Sequence, residues 1–389
     1  MSKTVRLWTP IGYLQAVTTS VPGAAATGRG PRVVGIDALR AIAALAVFVC
    51  HLGGYWSLTD LPARLPELMA IGAQGVDVFI VLSGFVLGLP AFRTDRPLNM
   101  GNFLRRRATR LLPPYFVALG LAAAIALSPM ATWIVAERAS ASDLAWHAAL
   151  LQTWNPPTLG TINGSLWSVA LEAQLYLTFP LVILFARRFG IWPVVGAAAV
   201  LSTSLTMVSL PGALGDALTD EHNLPIRLVQ FCVGVACAHL VSRGRVPRAT
   251  ALWAALVIGG LLAVGWSTAD VALGRAVIWS LPSAAAILLV ATSVGPSLAA
   301  TPFERWGLAS YSFYLVHQPV LLMVGHVLRP SLENDWVALV AGMTVGLAVT
   351  CLVAFALYLV VERPSHHYGR AHFPVFDAER PTEAEARRL

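Results

Sequence analysis

The chain has 389 residues, 57% of them hydrophobic and 12% charged, with a mean hydropathy of +0.68. Soluble domains carry about 25% charged residues, so these values exclude a large soluble core and point to a polytopic membrane protein. The formal charge of +7 does not read as a nucleic-acid surface, because the basic residues sit in short clusters between apolar segments.

Residues 1–32 hold Lys3, Arg6 and the run Ala24–Ala26, but Thr9, Pro10, Gln15 and Thr18–Ser20 break any apolar core. A cytoplasmic tail is expected there rather than a cleaved signal peptide. The first span, Gly35–Trp56, carries Arg40 and His51 inside an apolar segment of membrane length. A charge at the bilayer centre costs at least about 2.5–3.5 kcal/mol, which marks such residues as functional candidates. Eleven residues at ~100° each return His51 to within roughly 20° of Arg40, about 16 Å further along the axis. Asp37 lies one turn before Arg40 on nearly the same stripe.

Hydropathy predicts an all-α polytopic bundle of about ten spans, near 35–56, 69–91, 110–130, 166–186, 191–210, 225–243, 251–267, 274–294, 310–328 and 336–361. The segment 142–154 is too short to span and is expected to be an interfacial or re-entrant helix. The polar stretch 364–389 reads as a second tail, which leaves 33–363 as the membrane domain. Loops alternate in charge. Lys3, Arg6, Arg29, Arg32, Arg93, Arg96, Arg105–Arg107, Arg187, Arg188, Arg243, Arg245 and Arg248 fall on one side. Asp60, Glu67, Glu137, Asp143, Asp216, Asp220, Glu221, Asp270, Glu333 and Asp335 fall on the other. Both termini are therefore expected in the cytoplasm.

With that orientation, Arg40, Arg107 and Arg110 form a layer near the cytoplasmic surface, suited to phosphates. His51, Asp77 and Glu172 fall in the outer half, suited to general-base work. In span nine Ser310, Tyr314 and His317 share a face, with His317 expected about 10 Å in from the cytoplasm. Plainer readings stand beside these. His317 can be a helix–helix hydrogen bond, Arg105 and Arg106 can be interfacial anchors, and Asp77 and Glu172 can be structural partners of Arg or His. His147, His222, His366, His367 and His372 read as solvated, and His239 and His326 have no nameable partner. Ser83–Phe85 permits close helix packing, and a nucleophilic Ser83 is a weaker reading. Asn163-Gly164-Ser165 is either a glycosylation sequon or a turn. Cys50, Cys232, Cys237 and Cys351 lie in apolar spans and read as small buried hydrophobes. No metal-ligand spacing is visible.

Taken together, these blocks resemble acyltransferase family 3, the integral membrane acyltransferases that include O-antigen, exopolysaccharide and nodulation-factor acetylases and macrolide O-acyltransferases. The family opens with a pattern like LDGLRGIAALLVVLFHF, which stands here as IDALRAIAALAVFVCHL with Arg40 and His51 at its Arg-x10-His spacing. GVDVFIVLSGFV (75–86), Arg107-x-x-Arg110, LWSVALEAQLYL (166–177), SYSFYLVHQP (310–319) and the closing Glu362-Arg363-Pro364 follow in family order. Ala38 and Ala41 replace usual glycines, and Ala173 replaces a frequent second acidic residue after Glu172. The extracytoplasmic hydrolase-like domain of some polysaccharide acetylases is not expected.

The resemblance implies acyl transfer, acetyl in the simplest case, from cytoplasmic acyl-CoA as cosubstrate to a hydroxyl, with no permanently bound cofactor. Arg40, Arg107, Arg110, Tyr314 and His317 would face the donor. His51 would deprotonate the acceptor or carry the acyl group briefly, with Asp77 or Glu172 orienting it. The acceptor would be a surface or exported carbohydrate, a lipid-linked sugar, or a small hydrophobic metabolite such as a macrolide. A multi-pass protein of the inner membrane is implied. A secondary transporter is the reading from another class, and the absence of internal repeats disfavours it.

Overall fold

Inside a bilayer every backbone amide must find its partner within the protein, which leaves helix as the form open to apolar segments like these. The computed structural model describes residues 33–62, 64–94, 96–135, 139–268 and 274–376. The expected N-terminal tail, Glu137, Asp270 and the last part of the expected C-terminal tail lie outside the described residues. The helices are α1 (Ile36–Tyr55), α2 (Arg64–Arg93), α3 (Met100–Ala126), α4 (Ala141–Ala148), α5 (Gly164–Phe189), α6 (Ile191–Met207), α7 (Gly212–Thr219), α8 (Leu224–Ser242), α9 (Ala249–Thr268), α10 (Arg275–Ala299), α11 (Ser310–Leu328) and α12 (Asp335–His372). Among the described residues the only β-type pairing is an isolated bridge between Leu98 and Phe376.

Among the described residues eight helical stretches are long and apolar enough to cross a membrane: α1, α2, α3, α5, α7 with α8, α9, α10 and α12. The other two expected spans are helical as well. α6 is apolar but has 17 residues, and α11 carries Tyr311, Tyr314, His317 and Gln318 among its 19. Large apolar side chains such as Leu181, Leu184, Leu261, Leu352 and Val360 face outward, as lipid contact requires. Segment 142–154 folds as the short α4, opened by a Ser140–Asp143 capping box, then a tight turn at Gln152–Trp154. The polar stretch after Glu362 begins as helix and stays helical to His372.

Two helix pairs position everything that follows. α2 and α8 approach so closely that a Cβ on Gly84 would overlap the Phe231 carbonyl, and one on Gly234 would overlap that of Val81. Small residues let helices meet where no water is present to drive them together. Gly84→Ala should lower the melting temperature of the purified protein, since overpacking costs about 1–3 kcal/mol. Gly120→Ala, where a Cβ meets nothing within 4 Å, should not lower it. An equal effect of both would place the close contact elsewhere.

The second pair is α1 with α11, and it starts before α11. A helical turn, Pro302–Trp306, and a tighter one, Gly307–Ala309, run directly into Ser310. Glu304 accepts the Ala38 backbone N–H at 2.9 Å, which satisfies one of the open amides at the start of α1. Gly307 lies against the Asp37 backbone, the Phe48 and Phe313 rings meet at 5.8 Å, and Trp56 Nε1 donates to the Leu321 carbonyl at 3.0 Å. The two helices thus run parallel in a fixed register.

Candidate active site

That register overturns the expected depth of His317. Counted from Pro302, where the helical run begins, His317 lies fifteen residues in, just as His51 lies fifteen residues after Ile36. The two rings stack at 5.0 Å between centroids, and His51 Nδ1 is 2.8 Å from His317 Nε2. His317 belongs with His51 at the same depth, not in a separate layer beside the cytoplasm.

The hydrogen bonds around this pair decide its protons. His317 Nδ1 lies 2.6 Å from the Tyr314 carbonyl, which can only accept. Nδ1 therefore carries hydrogen, and the neutral ring presents a bare Nε2. That lone pair accepts from His51 Nδ1, so the free lone pair of the dyad is on His51 Nε2. His51 is half-buried and stacks on Tyr55 at 5.0 Å, whereas His317 is 1% exposed. The outer imidazole is the one a substrate can reach.

Tyr314 joins this pair to a cleft. Its phenol accepts from Ser168 at 2.7 Å, and its ring is 5.2 Å from that of His317. The cleft is lined by Tyr314, Ser83, Glu172, Arg40 and Arg110, between apolar walls that include Val76 and Leu175. Arg40 donates to Asp37 at 2.9 Å, one turn away. Arg107 lies over the rings of Phe103 and Tyr176 at 5.6 and 5.7 Å, a cation–π setting that keeps the guanidinium in place. Arg110 lies within electrostatic reach of Glu172 and Glu362. Glu172 accepts from the Tyr176 hydroxyl and from Ser83 Oγ at 3.2 Å. It therefore faces the arginines and Ser83, and no hydrogen bond joins it to His51.

Asp77 is engaged elsewhere. Its carboxylate, 2% exposed, takes Arg227 Nη1 and Gln230 Nε2, both at 2.5 Å. Arg227 also lies over Trp167 at 5.6 Å. The structure thus assigns Asp77 to bonding α2 to α8 and gives it no contact with His51.

Other expectations change in the same way. His147, read as solvated, is fully buried, with Nδ1 against the Asp143 carbonyl at 2.9 Å. His222 pairs with Asp220 at 2.9 Å beneath Trp167, and His326 stacks on Trp133 at 4.5 Å. Asn163 is 1% exposed, so the sequon reading fails and the turn reading holds. Pro319 has no N–H for the Leu315 carbonyl four residues earlier, and Asn163 Nδ2 supplies the missing donor at 3.0 Å. The four cysteines are free, Cys232 and Cys237 fully buried. Among the described residues no three His, Cys, Asp or Glu side chains gather as a metal site.

The profile of an acyltransferase domain family matches residues 33–359. The chain belongs to acyltransferase family 3. Acyltransferase MdmB of Streptomyces mycarofaciens is 29% identical over 92% of this chain and 99% of its own length. The exopolysaccharide production protein ExoZ of Rhizobium meliloti is 27% identical over 77% of this chain and 92% of its own. The peptidoglycan O-acetyltransferase OatA of Listeria monocytogenes is 25% identical over 87% of this chain, which spans 56% of that protein. No solved structure matches. The protein is thus a multi-pass membrane acyltransferase.

Several buried polar residues in and around the candidate site carry no clear signal in the sequence. Arg227 and Gln230 sit one turn apart in an apolar span, the same signal that marked Arg40, but Arg227 lies close enough to Asp220 and Glu221 to pass for loop charge. Glu362 was read only as part of a closing motif. A π-helical turn at Tyr358–Glu362 carries it inward, where it accepts from the Ser312 backbone at 3.1 Å and hydroxyl at 2.6 Å. Tyr311 lines the cleft and donates to the Leu111 carbonyl at 2.8 Å.

Proposed function

We propose that this enzyme transfers an acyl group, acetyl in the simplest case, from cytoplasmic acyl-CoA to a hydroxyl of a surface or exported carbohydrate. The observation that carries this reading is the hydrogen-bond chain from the Tyr314 carbonyl through His317 to His51, which leaves one lone pair available on His51 Nε2. The guanidiniums of Arg40, Arg107 and Arg110 hold the phosphates of the donor, and the pantetheine arm runs along the cleft toward Tyr314. His51 Nε2 takes the proton of the acceptor hydroxyl as its oxygen attacks the thioester carbonyl. The C–S bond breaks, the ester forms, and the proton passes from His51 to the departing CoA thiolate. The names of the exopolysaccharide and peptidoglycan relatives support a carbohydrate acceptor.

The reading needs both termini in the cytoplasm, within the inner membrane. Single cysteines at Asp60 and Glu333, both exposed, should react with an impermeant maleimide on intact cells, and one at Arg243 only after permeabilisation. The reverse pattern would invert the bundle. For the donor site, Arg107→Ala and Arg110→Ala should each weaken CoA binding about tenfold or more, with Lys restoring only part. Unchanged affinity in both would remove the arginines from donor binding. The acceptor is tested by mass spectrometry of glycans, lipids and secreted metabolites from cells with and without the gene. A carbohydrate that gains an ester only when the gene is present supports the proposal. An ester found only on a small hydrophobic metabolite would overturn the acceptor assignment and leave the chemistry standing.

A further inference from the structure

The terminal turns of α12 are folded back along the start of α3. Gly369 is buried against Thr109, at a spacing that leaves no room for a Cβ, and the Asn99 backbone N–H donates to the Val375 carbonyl at 2.9 Å. This two-point attachment brings basic groups of two helices together. His366 comes within electrostatic reach of Arg106, Arg107, Arg110 and Arg370, and Arg106 within reach of Arg370. Among the described residues Glu172 and Glu362 are the carboxylates that lie near Arg110, and each already accepts hydroxyl hydrogen bonds. The Nε of Arg107 is buried without an acceptor. Like charges packed on adjoining helix faces repel, so a fold that gathers four guanidiniums beside an imidazole is stable with an anion among them.

We propose that His366 and Arg370 of α12 complete a phosphate site with Arg106, Arg107 and Arg110, and that its occupant is the phosphate end of acyl-CoA. This rests on the acyl-CoA reading above and adds a second wall to it. The cluster is at the α3 end that loop charge predicts to face the cytoplasm, where a soluble polyanion arrives. His366 contributes an N–H donor and Arg370 a guanidinium at the rim, while Arg107 and Arg110 hold the deeper phosphate. A phospholipid headgroup has the same chemistry, and the test separates the two.

The probe is CoA, titrated against the full-length protein in nanodiscs of neutral lipid at low and high NaCl. His366→Ala and Arg370→Ala should each weaken CoA binding about fivefold or more at low salt, and Arg370→Ala should also flatten its salt dependence. Arg370→Lys should stay within about twofold of the parent protein. An Arg370→Ala variant that merely damages the fold would lose affinity equally at every salt concentration, and that result would overturn the assignment. So would unchanged CoA affinity in both Ala variants. If those variants instead retain less phosphatidylglycerol by native mass spectrometry with CoA affinity intact, the occupant is a lipid and the CoA assignment falls. Failure of the parent protein to bind CoA at all would bring down the acyl-CoA reading itself, along with this one.

Discussion

His51→Ala should lower acyl transfer by about 10²–10⁴, the usual cost of removing a general base, while CoA binding stays near that of the parent protein. The separation of effects follows from geometry. Arg40 and Arg110 line the cleft, whereas His51 lies against His317, whose ring packs on Tyr314. His317→Ala is not an inert control, because His317 is what keeps the proton on His51 Nδ1. Losing an orienting partner of this kind costs about ten- to a hundredfold, so an intermediate rate is expected. Loss of CoA binding in His51→Ala, or a rate in His317→Ala equal to the parent's, would break the proton assignment. Tyr55→Ala removes the ring stacked on His51 and should change the rate less than either.

The largest effect on folding is expected at the buried ion pair. Asp77→Ala leaves Arg227 charged and unpaired inside the bundle, and Arg227→Ala does the same to Asp77. Breaking a buried pair from one side costs about 3–5 kcal/mol, enough to deplete folded protein from the membrane. Replacing both with apolar residues of similar size, Asp77→Leu with Arg227→Met, should recover much of that loss, because no charge is then stranded. Yield and melting temperature of the three variants measure this. If the double variant folds and still transfers acyl groups, Asp77 acts through the α2–α8 contact alone. If it folds and is inactive, Asp77 or Arg227 has a part in the chemistry as well.

The helices were readable because apolar length and loop charge act over twenty residues at a time, and no tertiary contact is needed to see them. Depth was harder. His317 was placed by counting from Ser310, and the polar turn Pro302–Ala309, which extends the helical run by two turns, has no hydropathy signal. The candidate residues themselves are legible as polar groups stranded in apolar spans, which is why Arg40, His51, Asp77, Glu172 and His317 all stand out. Their pairing was not. Which carboxylate meets which base depends on helix neighbours, and α8 meets α2 through Gly84 and Gly234, a contact set by backbone shape. Asp77 therefore went to Arg227, and His51 to a second histidine. The family resemblance supplied the reaction class, which spacing and burial alone do not specify.

The most direct measurement uses sealed inside-out membrane vesicles containing the parent protein or His51→Ala, supplied with acyl-CoA labelled in the acyl carbon. A cytoplasmic donor site feeding a His51 base predicts that the label leaves CoA and appears as a hydroxylamine-sensitive ester only with the parent protein. The variant should still bind the labelled acyl-CoA at the same concentration. Ester formation by His51→Ala at the parent rate would contradict it.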